Sequence, residues 1–96
     1  MVSAMISDIS FVAGEDKLTL YQFNTKSAKH YFCSICGIYT HHQRRSKPEE
    51  IGVNVACLEN VSPFQFEVVP VLDGLNHPKD GGHFGSAVGL LKFEKI

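Results

Sequence analysis

The sequence predicts an all-β fold, and three observations carry that reading. Short runs of β-branched and aromatic residues recur along the chain, each closed by a turn signal. No stretch carries a capped 3.6-residue pattern long enough for a dominant helix. An extended aromatic run, Lys-His-Tyr-Phe from Lys29, ends in Cys33-Ser-Ile-Cys36-Gly37, a tight turn from which a second β-prone run departs.

Taken in order, residues 9–12 (Ile-Ser-Phe-Val) read as a strand closed by the turn at 13–16. Residues 18–23 (Leu-Thr-Leu-Tyr-Gln-Phe) are rich in β-formers and stop at Asn24-Thr25. Residues 29–33 lead into the cysteine turn and 38–42 lead out, so the two arms should pair antiparallel. Pro48 breaks the chain, and 47–50 allow one helical turn at most. In residues 51–58 the positions Ile51, Val53, Val55 and Cys57 share one parity and so one face of a strand. Residues 64–68 alternate as a half-buried strand does. Residues 80–85 are flexible by composition, and 88–96 add a last strand.

At 96 residues this is one domain, with 44% hydrophobic and 20% charged residues, the balance of a soluble globular protein. A net charge of −1 gives no general attraction to nucleic acid or anionic membrane. No apolar run approaches the roughly 20 residues needed to span a bilayer. The first eight residues lack a basic segment followed by a long apolar one, which argues against secretion. Three cysteines, two of them closely spaced, argue against a disulfide framework and fit a reducing, cytoplasmic setting.

Cys33 and Cys36 are the candidate metal ligands. Two thiolates two residues apart face one cation when the chain between them turns tightly, and Gly37 permits the positive φ such a turn demands. A redox role would place the pair at a helix start, and here β-formers follow instead. Cys57, on the Ile51 face, reads as a small buried hydrophobe. The five histidines, His30, His41, His42, His77 and His83, are formal ligands but read individually as solvated surface residues. His41 and His42, being adjacent, must point to opposite faces of a strand. The basic stretch 41–47 reads as a solvated loop able to contact carboxylates through Arg44 and Arg45.

Three blocks carry a resemblance: 14–23 (Gly-Glu-Asp-Lys-Leu-Thr-Leu-Tyr-Gln-Phe), 25–38 (Thr-Lys-Ser-Ala-Lys-His-Tyr-Phe-Cys-Ser-Ile-Cys-Gly-Ile) and 52–58 (Gly-Val-Asn-Val-Ala-Cys-Leu). In order and spacing they resemble the glutathione-dependent formaldehyde-activating family, which includes centromere protein V. The similarity covers about residues 9–78, with Leu72-Asp-Gly-Leu-Asn-His77 resembling the family's closing segment, and leaves 79–96 as a tail. The resemblance implies a small β-tent-like fold around zinc, of carbon–sulfur lyase type, acting on glutathione or a glutathione adduct. It implies that Cys33 and Cys36 supply half of a structural zinc site. The family's N-terminal C-x-C pair and second cysteine cluster have no counterpart here, so the chain reads as a partial family domain, incomplete for catalysis. The competing reading is a non-enzymatic, zinc-stabilised interaction module or partner-completed subunit. Two chains sharing one site in a homodimer, a histidine or Cys57 completing it within one chain, and an empty site all stay open.

Overall fold

The computed structural model describes residues 1–75 and 87–96. The chain is all-β: seven strands in two sheets, with only three-residue 3₁₀ turns between them among the described residues. It divides into two compact units, Met1–Glu59 and Asn60–Ile96.

The first unit is an antiparallel sheet of β1 (Val2–Met5), β2 (Leu18–Tyr21), β3 (Lys29–Cys33), β4 (Tyr39–Gln43) and β5 (Glu50–Val53), in the order β1-β5-β4-β3-β2. Lys29–Cys33 and the run after the cysteine turn pair antiparallel as the sequence predicts. Opposed residues in such a ladder share a face. One cross-strand row therefore runs Ser3–Gly52–His42–His30–Tyr21. The adjacent row, Val2–Val53–His41–Tyr31–Leu20, lies on the opposite face. On that second face Phe11 lies against His41 with ring centroids 5.6 Å apart, and Tyr31 stacks on His41 at 4.6 Å. Among the described residues the buried ones are few: Ile51, His41 and Gly52.

The β3–β4 pairing carries a bulge. Tyr31 opposes His41 but Phe32 opposes Tyr39, so Thr40 is the extra residue. Its hydroxyl bonds the Tyr31 carbonyl at 3.2 Å, and its carbonyl accepts the Asn54 N–H at 2.8 Å. In an unbulged strand through Thr40, Tyr39 would share the His41 face by parity; the bulge instead places it with His30 and His42.

The second unit holds the hairpin of β6 (Val68–Leu72) and β7 (Ala87–Lys92). Phe93 N–H bonds the Glu67 carbonyl at 3.0 Å, and Phe93 stacks on Phe64 at 5.0 Å.

Three expectations are corrected. Residues 9–12 are not a strand, and the N-terminal strand is Val2–Met5, which pairs with β5. Phe11, instead of joining a ladder, rests on the His41 ring. The strand from Ile51 ends at Val53, because the Asn54 side chain accepts the Ala56 N–H at 3.1 Å and caps a 3₁₀ turn over Val55–Cys57. Residues 64–66 likewise turn rather than extend. Ser62 and Gln65 form a reciprocal capping box with Pro63 in the first position, and the strand starts only at Val68. Residues 47–50 form a single turn closed by Glu50 N–H to the Lys47 carbonyl, within the one turn the sequence allows. The stretch 80–85 lies outside the described residues.

Candidate functional site

Two groupings of chemically capable side chains stand on the first sheet. The first is the cysteine turn at the β3–β4 end. Cys33 N–H bonds the Ile38 carbonyl at 2.9 Å, and Gly37 N–H bonds the Cys33 carbonyl at 2.8 Å, closing the turn. Gly37 takes φ +77°, the left-handed region that a Cβ disfavours. The Ile35 N–H points at the Cys33 sulfur at 3.4 Å. The backbone N–H of Cys36, then that of Ile35, then the Cys36 side chain hold the Cys33 thiol below its ordinary range, outweighing the opposing effect of burial. The N–H groups of this turn favour the charged form of the Cys33 thiol. Cys36 is exposed, Cys33 half-buried, and Ile35 between them is 78% exposed.

The two cysteines predicted as zinc ligands are thus brought together, and their chemistry fits half of a tetrahedral thiolate set. Among the described residues no group of three or more Cys, His, Asp or Glu is placed to hold a metal. Cys57, expected on a buried strand face, is exposed on its 3₁₀ turn, with its thiol toward the Tyr39 carbonyl at 3.9 Å. His77 and His83 lie outside the described residues.

The second grouping is the aromatic–histidine face. His30 stacks on Phe23 at 5.7 Å and on His42 at 5.7 Å, and Tyr39 stacks on His42 at 6.1 Å. Tyr39 Oη and His30 Nδ1 are hydrogen-bonded at 2.8 Å. Beside them is a shallow recess of about 300 Å³ lined by Tyr21, Phe23, His30, Phe32 and Tyr39. His42 lies over Gly52, where a Cβ would meet its Cε1 at 2.4 Å. His30 Nε2 and His42 Nδ1 are buried without hydrogen-bond partners. Burial holds the His42 imidazole below its ordinary pKa, with Arg44, His30, the N-terminus and His41 adding positive charge. Burial alone does the same for His41 and raises the Tyr39 phenol.

Taken singly in the sequence, these histidines read as solvated. His41 is instead buried at 8% exposure, and His30 and His42 are half-buried. The Thr40 bulge assembles the Tyr39–His30–His42 group, and a residue-by-residue reading of parity does not reveal it. Arg44 is engaged by Glu50 at 3.5 Å and by the Ser3 hydroxyl, so its guanidinium holds β1, β4 and β5 together.

Two expected outcomes follow from this face. The Tyr39→Phe variant removes one part-buried hydrogen bond and should lose about 1 kcal/mol in urea unfolding, since His30 Nδ1 is then left unpaired. The second concerns pH. His41 and His42 have folded pKa values below the unfolded 6.5, so the folded state binds fewer protons. Stability should therefore be full above pH 6.5 and fall as pH drops through the lowered pKa values. The slope is at most about 1.4 kcal/mol per pH unit for each imidazole. Urea midpoints flat across that range would refute it.

No protein-family model matches the chain. Among solved structures the chain is similar to a Rhodobacter sphaeroides protein known from its crystal structure. The identity is 63% and the TM-score 0.64, over 66% of this chain and 58% of that one. The chain thus spans less than two thirds of that protein's length.

Among the described residues no helix is long and apolar enough to cross a membrane.

Proposed function

We propose that this chain is a zinc-binding β domain of the glutathione-dependent formaldehyde-activating type, with Cys33 and Cys36 as zinc ligands. The observation that carries the reading is the cysteine turn: two thiols on one tight turn, with N–H groups aimed at the Cys33 sulfur and Gly37 at positive φ. Such a turn favours the deprotonated ligand that zinc requires. The sequence blocks around it support the family, and the family supplies the chemical class, carbon–sulfur bond making or breaking on glutathione or its adduct. Zinc, when bound, contributes a fixed positive charge that stabilises thiolate and, with an open position, polarises an oxygen ligand. This chain's residues do the holding: the N–H groups of Ile35 and Cys36 set the Cys33 sulfur, and the β3–β4 ladder sets the turn. The reading assigns the domain to a reducing, cytoplasmic setting, where free thiols persist.

The Cys33–Cys36 pair is read as part of a structural zinc site, incomplete for catalysis by itself, and the competing reading is a non-enzymatic, zinc-stabilised or partner-completed module. The test is paired. Elemental analysis should find zinc on the purified chain, and NMR of formaldehyde with glutathione should show no adduct formation above the uncatalysed rate. Zinc-dependent turnover would make the chain an enzyme in its own right; a folded chain that retains no zinc would remove the zinc reading itself.

A further inference from the structure

We draw no further inference here: the strongest candidate, the shallow recess of the first sheet lined by Tyr21, Phe23, His30, Phe32 and Tyr39, is an almost wholly apolar face, and nothing in the structure shows what covers it.

Discussion

Replacing Cys33 and Cys36 together by serine is expected to abolish zinc retention and remove the zinc-dependent part of the stability. Serine keeps the size of the side chain and still accepts the Ile35 N–H, but its neutral hydroxyl offers zinc no thiolate. For a metal present at a hundredfold its Kd, linkage gives about 2.7 kcal/mol. In a domain of this size that is roughly 10–20 °C in Tm. Melting curves with zinc and with chelator should differ by that much for the parent chain and coincide for the double variant. A parent curve that the chelator leaves in place would contradict the assignment, as would a variant that still carries zinc.

The Gly52→Ala substitution is expected to be the most damaging single methyl that can be added to the sheet. Gly52 is buried in β5 opposite His42, and its new Cβ would sit 2.4 Å from His42 Cε1 and 2.9 Å from Nδ1. The imidazole cannot swing aside freely, because it stacks against both His30 and Tyr39. Overpacking of this kind costs about 1–3 kcal/mol. That amounts to roughly 4–24 °C in Tm. A double-mutant cycle separates this mechanism from a general strand effect. In a His42→Ala background the same methyl should cost under about 0.5 kcal/mol, because the clashing ring is gone. An equal cost in both backgrounds would show that the ring is not what Gly52 accommodates.

The parts of this fold that sequence reveals are those fixed by local chemistry. The β3–β4 hairpin is legible because Cys33-x-x-Cys36-Gly37 specifies a tight turn and its arms are β-prone on both sides. The opposed directions of His41 and His42 follow from strand parity. What escapes is set by tertiary partners or by single polar side chains. Val2–Met5 is too short to show alternation and is a strand only because β5 offers an edge. Ile51 to Cys57 looks like one face until Asn54 is seen to bond both the Ala56 N–H and, at 2.8 Å, the Tyr39 carbonyl. That asparagine in an otherwise apolar run was the available signal for the end of β5. Ser62-Pro63 ahead of residues 64–68 was the corresponding signal in the second unit. The aromatic–histidine face had no such signal, because the extra residue in β4 becomes visible only when the two strands are laid side by side.

That extra residue also divides the hairpin into two independently editable pieces. Thr40 absorbs one position of offset, so the arrangement of rings over Gly52 is set by pairs on the far side of it: His30 with His42 and Tyr31 with His41. The cysteine turn is set on the near side, by Phe32 with Tyr39 and by the Cys33–Ile38 bond. Residues 33–38 therefore behave as an exchangeable cassette. A different turn spliced between Phe32 and Tyr39 keeps the histidines in phase, and deleting Thr40 alone would straighten the ladder while leaving Tyr39 opposite Phe32 and His41 opposite Tyr31.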